Sequence, residues 1–529
     1  AGSKRALGRR LHVDGRSPPA DYQVAFFDES QDTDDMPAQE RAAWRRFLTL
    51  HRELVEKKKA IVFVRSRTGA EAIAKAFVQV NLTGHLAKVN VRTHHSSVSR
   101  FFREEAERLI QVSNEAGLNA IISTSTLELG IDIGELETVV QLGGLSSSSS
   151  FLQRVGRTGR RPGKPRVFRG LCTDPEDLLL LVATVNLGIR GQSEALALPR
   201  RAFHLLAHQL LCLALQNLGI SPTRAWTLLR PAFCFSGITE TEFQALVDHM
   251  VEAEYLRWVS GDLLVAERAE KEYLGAGWRR LFAVFDSAPL YEVLDRKNQV
   301  GTLDSRFVES LEVPFYFVLG GKLWQARSVD SRSRIVKARR ASGGDPPQWH
   351  CFGGPDVPFE TAQEVGRILQ CDEAFSFLDE AALAQLEAQR WVVSDLGWAA
   401  GRTALRLSEG GEAKIWTFAG DRINRTLART MNVGSVGRAT ARYDAVTIRG
   451  GAADPTEYRQ RIQDVLERLR EGDHSDPVVL ASHLARDQPL WPFSPFARCL
   501  PHSLWAEALV EMTTDCEGTV NLVQRGFRD

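Results

Sequence analysis

Gln153-Arg154-Val155-Gly156-Arg157-Thr158-Gly159-Arg160 places an arginine at every third position with glycines between them. Guanidinium groups bind phosphate oxygens through paired, charge-assisted hydrogen bonds, and a set of them can stabilise the charge on a phosphoryl group in transfer. On a narrow helix Arg157 and Arg160 are expected to project to one side. The three guanidiniums would then be placed to meet a phosphoryl group. Gln153 would sense the γ-phosphate or the attacking water.

Upstream, the run Ser123-Thr124-Ser125-Thr126-Leu127-Glu128-Leu129-Gly130-Ile131-Asp132-Ile133-Gly134 offers hydroxyls at a strand end, then a glycine turn, then a carboxylate. The hydroxyls and backbone amides can hold a nucleic-acid phosphate, and Asp132 can face a nucleotide or orient an arginine. Residues 60–64 form an apolar run that delivers Arg65, Ser66 and Arg67 at its carboxyl end, where open α/β sheets place their ligands. A magnesium-holding phosphate loop needs Gly-Lys followed by Ser or Thr. The Gly-Lys pairs, Gly163-Lys164 and Gly321-Lys322, are followed by Pro165 and Leu323.

These segments need a scaffold, and alternation of short β-branched runs with helical stretches supplies one. Strands are expected at 60–64, 87–91, 120–124, 138–141 and 166–171, with crossover helices such as 68–80 and 98–112, which makes a parallel sheet. Helices at 178–187, 203–218 and 239–253, the last capped by Thr239, precede a hairpin around Ser260-Gly261, the outline of a winged helix. Short strands at 291–294, 315–319, 322–326 and 335–338 then suggest a β-rich, barrel-like unit, before mixed helix and strand beyond Gly401. Arg332 and Arg334, then Lys337 and Arg339, alternate on the expected strand. Each pair could track phosphates, or could equally be the exposed face of a barrel strand.

Length and composition fit a multidomain globular chain: 529 residues, 43% hydrophobic and 25% charged. The 66 basic residues balance 66 acidic ones, so attraction to a polyanion must be local, with the densest patch between Arg154 and Arg169. The cysteines and histidines have no metal-ligand spacing, and no metal site is expected. No apolar run approaches the roughly 20 residues that span a bilayer, so a cytoplasmic, nucleoid-associated protein is expected.

In these three segments the chain resembles superfamily 2 helicases, matching motifs IV, V and VI in order. Within that superfamily it is most similar to the large helicase-related (Lhr) family. His94-His95-Ser96-Ser97-Val98-Ser99 looks like that family's HHGSLS segment, with Ser96 in place of the glycine, and Leu127 to Asp132 matches its motif V. The likeness continues through Gly320-Gly321-Lys322-Leu323-Trp324, Val329-Asp330, Pro346-Pro347-Gln348-Trp349, Trp416-Thr417-Phe418-Ala419-Gly420 with Asn424, and Phe496 to Pro501 with Asp515 and Gly518.

The resemblance implies an ATP- and Mg2+-dependent motor moving 3′ to 5′ on single-stranded DNA and unwinding DNA or RNA:DNA duplexes in DNA repair. Gly130, Asp132, Gln153, Arg157 and Arg160 would face ATP. His94, Ser96 and Thr124 would touch the tracking strand, and Arg65 is assigned to the same surface. Family members stack a winged-helix tryptophan on a base, for which Trp226, Trp258 and Trp278 are candidates; Trp324, Trp349 and Trp416 are assigned to packing. The implied architecture is an α/β RecA-like domain followed by a winged helix and a β-barrel-containing α+β module. Its expected limits are 1–50 as a joint, 51–175 as the second RecA-like domain, 176–285 as linker helix and winged helix, 286–400 as the barrel-like unit, and 401–529 as an accessory region. The first RecA-like domain, with the magnesium ligands, is expected in cis or on another chain, and this polypeptide alone is expected to hydrolyse no ATP. The alternative is a catalytically inactive nucleic-acid-binding subunit.

Overall fold

The computed structural model describes residues 19–28, 38–56, 59–112, 117–128, 133–134, 136–161, 163–196, 198–274, 281–282, 284, 290–296, 298–309, 311–341, 343, 355–393, 403–408, 411–450, 455–471, 494–525 and 527–528. Its first sheet contains β1 (Ala20–Phe26), β2 (Ala60–Phe63), β3 (Val91–His94), β4 (Ala120–Ser123), β5 (Thr138–Leu142) and β6 (Arg166–Cys172). The order is β1-β6-β5-β2-β4-β3 and every pairing is parallel. Around it lie α1 (Ala38–Glu56), α2 (Arg67–Thr83), α3 (Arg100–Gln111), α4 (Ser148–Val155) and α5 (Pro175–Ile189).

Both faces of this sheet are covered. Ile61, Phe63, Ile121 and Val139 pack with Phe151, Val155 and α5, while Ala60, Val62, Ile122 and Val140 meet Phe47, Leu50, Ala74 and Phe77 of α1 and α2. That two-sided burial is why the strands read as continuous apolar runs. The strand expected at 87–91 begins instead at Val91. Asn81 explains the shift, because its side chain accepts from Val89 N at 3.1 Å and donates to Val89 O at 2.8 Å, taking up the groups a ladder would use.

Residues 1–50, expected as a joint, contribute β1 and much of α1 to this unit. β1 is itself bordered by 377–379, where Val24 N donates to Phe377 O at 2.7 Å and Asp379 N to Val24 O at 3.0 Å. Helix α5 is buried along 178–187 because it is sandwiched between the sheet and the helices Phe359–Gln370 and Glu380–Val393. Those two helices fall within 286–400, yet their apolar side chains belong to the first core.

The winged-helix outline is present as α6 (Phe203–Gln216), α7 (Pro222–Leu229) and α8 (Glu240–Glu252), followed by β7 (Leu256–Val259) and β8 (Asp262–Val265). Thr239 caps α8 through a reciprocal pair with Glu242. Ser260 and Gly261, with φ of 53° and 89°, close the two-residue hairpin. The segment Pro495–Cys499 returns to this core, with Phe496 and Cys499 packed against it and Tyr273 Oη donating to Pro495 O at 2.9 Å.

A second five-stranded sheet holds β9 (Leu290–Asp295), β10 (Asn298–Asp304), β11 (Phe315–Leu319), β12 (Lys322–Asp330) and β13 (Ile335–Arg340), in the order β10-β9-β13-β12-β11. The described pairings leave β10 and β11 as its two edges, the arrangement of an open sheet and not of a closed barrel. A third sheet, Arg438–Ala441, Ala445–Arg449, Ala413–Trp416, Thr403–Leu407 and Phe527–Arg528 in spatial order, packs on the helices Gly420–Val433 and Pro455–Arg470. No helix among the described residues is long and apolar enough to cross a membrane.

Candidate functional site

The parallel sheet sorts the candidate residues into two places. Arg65 follows β2, Thr124 follows β4 and Ser96 follows β3, and β2, β4 and β3 are adjacent strands, so the three residues form a row along one carboxyl edge. Ser96 is exposed and Thr124 half-buried. The side chain of Arg65, just over half exposed, is paired with Asp177, whose carboxyl is pushed up by burial and held down in part by Arg65.

His94 does not join that row. It is 1% exposed, with Nδ1 2.9 Å from Thr126 Oγ1 and Nε2 2.9 Å from Glu107 Oε1. Burial pushes its imidazole down, against the hydrogen bond that Glu107 accepts. The shift of β3 makes His94 the last strand residue, and its side chain lies under α3, apart from the exposed Ser96. His95 points to the opposite face and bonds Glu71.

The arginine segment occupies the other end of the strands. Helix α4 starts after β5 and runs back, so Thr158 bridges Leu136, just before β5 begins. The helix stops at Val155, and Gly159, at φ 60°, could not carry a side chain, since a Cβ would lie 2.9 Å from Pro165 O. Arg157 and Arg160 therefore sit in the turn beyond the helix and not along it, and the three guanidiniums do not share one direction.

Arg154, 7% exposed, turns inward. Its Nε donates to Glu128 Oε1 at 3.0 Å, its Nη1 to Gln141 Oε1, and its guanidinium lies 4.5 Å from the Phe63 ring centre. Burial pulls its pKa below the ordinary arginine value, and Glu128 opposes that. Arg157, also buried, donates to the backbone carbonyl of Glu128. Burial, then the charge of Arg160, lowers its pKa. Arg160 is exposed, with Nε 3.5 Å from Gly156 O, and Gln153 is half-buried. Gly130 and Asp132 lie outside the described residues. Glu128, which sequence reasoning did not single out, is thus the anchor that joins the segment after β4 to the arginines.

The other candidates also separate. Arg169, part of the basic patch, is spent on Asp21, whose backbone carbonyl and two carboxylate oxygens accept from it at 2.9, 3.0 and 2.7 Å. Arg332 and Arg334 lie in the turn between β12 and β13, not on a strand, because Asp330 Oδ1 accepts the amides of Arg332 and Ser333 at 3.0 and 3.1 Å and closes the turn. Lys337 and Arg339 do share the exposed face of β13. Trp226 stacks on Phe243 in the core, Trp258 is 48% exposed on β7, and Trp278 is outside the described residues. Trp324 is buried, its Nε1 donating to Leu319 O at 2.9 Å. Among the described residues no cluster of three or more His, Cys, Asp or Glu is placed to hold a metal ion.

Comparison with known proteins matches residues 43–162 to the helicase conserved C-terminal domain and residues 189–345 to the winged helix domain of large helicase-related proteins. The chain is 26% identical over 340 residues to the ATP-dependent helicase Lhr-Core of Saccharolobus solfataricus, covering 61% of this chain and 37% of that protein. It is 28% identical over 306 residues to the Lhr helicase/uracil glycosylase of Escherichia coli, covering 54% of this chain and 19% of that one. The chain thus spans little more than a third of the length of the Lhr-Core relative. Among solved structures, the Mycobacterium smegmatis helicase Lhr bound to ssDNA and AMP-PNP has a TM-score of 0.62 at 20% identity, covering 96% of this chain and 68% of that one. At that identity the likeness speaks for the fold.

Proposed function

This chain belongs to the large helicase-related (Lhr) family of superfamily 2 helicases, and on that premise we propose that it is the second lobe and DNA-gripping part of an ATP-driven 3′ to 5′ DNA translocase. The observation that carries the reading is the division of one sheet into two chemistries. Arg65, Thr124 and Ser96 line the carboxyl edge of adjacent strands, suited to a phosphate backbone. Arg160 stands exposed at the opposite end, with Arg157 beneath it and Gln153 on the preceding helix, suited to a γ-phosphate. Asp132 and Gly130 would complete the nucleotide contacts.

ATP would lie between this arginine turn and a first RecA-like domain, in cis or on another chain, which brings the phosphate loop and the Mg2+ ligands. DNA and RNA:DNA duplexes are the substrates this reading assigns. The test is reconstitution: this chain with ATP and single-stranded DNA should release no phosphate, and adding a family first lobe as a separate polypeptide should produce DNA-stimulated release. Turnover by the chain alone would refute the division of labour.

Among the described winged-helix residues, Trp258 is the candidate tryptophan whose ring is exposed for stacking. Base stacking on an aromatic contributes about 1–3 kcal/mol by alanine substitution. Trp258→Ala should therefore weaken single-stranded DNA binding by roughly five- to 150-fold in fluorescence anisotropy. Trp258→Phe should recover most of it, and an unchanged affinity for Trp258→Ala would remove this residue from the DNA path.

A further inference from the structure

Glu71 on α2 is a carboxylate at 2% exposure, surrounded by donors from two units of the chain. Its Oε1 is 2.9 Å from His95 Nε2, 3.4 Å from Thr93 Oγ1 and 2.6 Å from Gly320 N, and its Oε2 accepts from Gly321 N. A buried carboxylate persists only where charge-assisted bonds replace water, and because an ionised one can only accept, the His95 proton must sit on Nε2. The two glycine amides belong to the β11–β12 turn, where φ of 67° and 69° turns successive N–H groups toward one acceptor.

The same sheet grips the loop after β3 a second time. Thr302 N donates to Ser97 O at 2.8 Å and Ser99 N to Val300 O at 3.3 Å. A Cβ at Gly301 would come within 2.2 Å of Ser97 O, so that approach needs glycine. Arg67 Nη1 donates to Ser97 Oγ at 3.0 Å, and Lys322, next to the turn, has its ammonium 5.8 Å from the Phe102 ring centre on α3. His95, Ser97 and Val98 are buried, whereas Ser96 is exposed. The loop is clamped on both sides and presents one serine outward.

We propose that Glu71 is a positioning residue: by seating the Gly320-Gly321 turn and His95 together, it makes the second sheet and the loop 95–99 one body and so fixes where Ser96 meets the DNA strand. This rests on the reading of Ser96 as a strand contact given above. It gives a physical reason for the co-occurrence of His94-His95-Ser96 and Gly320-Gly321 in one chain, since the two segments meet at a single carboxylate. A contact held by rigid surroundings binds without the cost of ordering it first.

Glu71→Gln tests this, because one oxygen and an amide donor cannot accept from both glycines and the imidazole. In the full chain, single-stranded DNA affinity should fall about tenfold, Ser96→Ala should give a similar loss, and the double variant should fall no further. Hydrogen exchange at the Gly320 and Gly321 amides should quicken, and Glu71→Asp, which keeps the carboxylate, should recover part of both effects. Gly321→Ala, which strains the turn at φ 69° and leaves Glu71 in place, should weaken binding in the same direction and guards against a folding defect in Glu71→Gln. Open glycine amides with normal DNA binding in Glu71→Gln, beside weak binding in Ser96→Ala, would overturn the positioning role and leave the strand-contact reading intact. Normal binding by Ser96→Ala would overturn that reading, and this inference with it.

Discussion

In the reconstituted two-lobed motor, Arg160→Ala should cut DNA-stimulated ATP turnover by about a thousandfold or more, the scale of a lost arginine finger. The loss should fall on kcat, with the KM for ATP little changed, because the guanidinium meets charge that grows only as the phosphoryl group transfers. Single-stranded DNA affinity should hold, since the arginine turn sits by the entry to β5 while Arg65, Thr124 and Ser96 sit at the strands' carboxyl edge. Arg160→Lys keeps the charge but not the planar fork, so it should restore only a small part of the rate. A variant that retains turnover within tenfold of the parent would show that Arg160 points at something other than nucleotide. Measured turnover and DNA affinity falling together would instead place it on the DNA.

The parts of this reading that came from the sequence are those fixed by local pattern. The apolar runs at 60, 120, 138 and 166 formed strands because each buries side chains on both faces of the sheet. At 87–91 apolar residues alternate, but Asn81, in the last turn of α2, takes the Val89 amide and carbonyl. No strand pattern contains that information. The consequence reaches beyond a boundary, since the later strand ends at His94 and its side chain is buried against Glu107 of α3.

Side-chain roles set by distant partners were the least legible. Arg332 and Arg334 alternate like strand residues, yet Asp330-Ser331-Arg332-Ser333 is turn chemistry, and that signal was available. Several accessory matches prove to be joints: Asn424 Oδ1 accepts from Thr417 Oγ1 at 2.6 Å and Asp515 Oδ1 caps Gly518 N at 2.7 Å. Phe496 and Cys499 fill the winged-helix core. Glu71 did leave a trace, as an acidic residue beside the apolar stripe of Ala70, Ala74 and Phe77 on α2. What it held could be found only once β11 and β12 were folded against it.

The arginine triplet divides by the same logic, and Arg154 is where rate and stability part. Its guanidinium is enclosed by Glu128, Gln141 and the Phe63 ring, so it has no bond to offer a nucleotide. Removing one member of a buried pair strands the other charge, at a cost of about 3–5 kcal/mol. Arg154→Ala, or Glu128→Ala, should therefore speed amide exchange in β2 and β5 by on the order of a hundred- to several-thousandfold. Glu128→Ala should be the more damaging to catalysis of those molecules that stay folded, because the segment whose carbonyl holds Arg157 then loses both Arg154 and Ser150 of α4, whereas Arg154→Ala leaves the Ser150 hydroxyl on Glu128 Oε2 at 3.5 Å. Joint replacement by Arg154→Met and Glu128→Leu buries no charge and should regain much of the lost protection. If Arg154→Ala instead left exchange in these strands unchanged while abolishing ATP turnover in the two-lobed motor, Arg154 would be a finger, and the inward pairing with Glu128 would have to break when nucleotide binds.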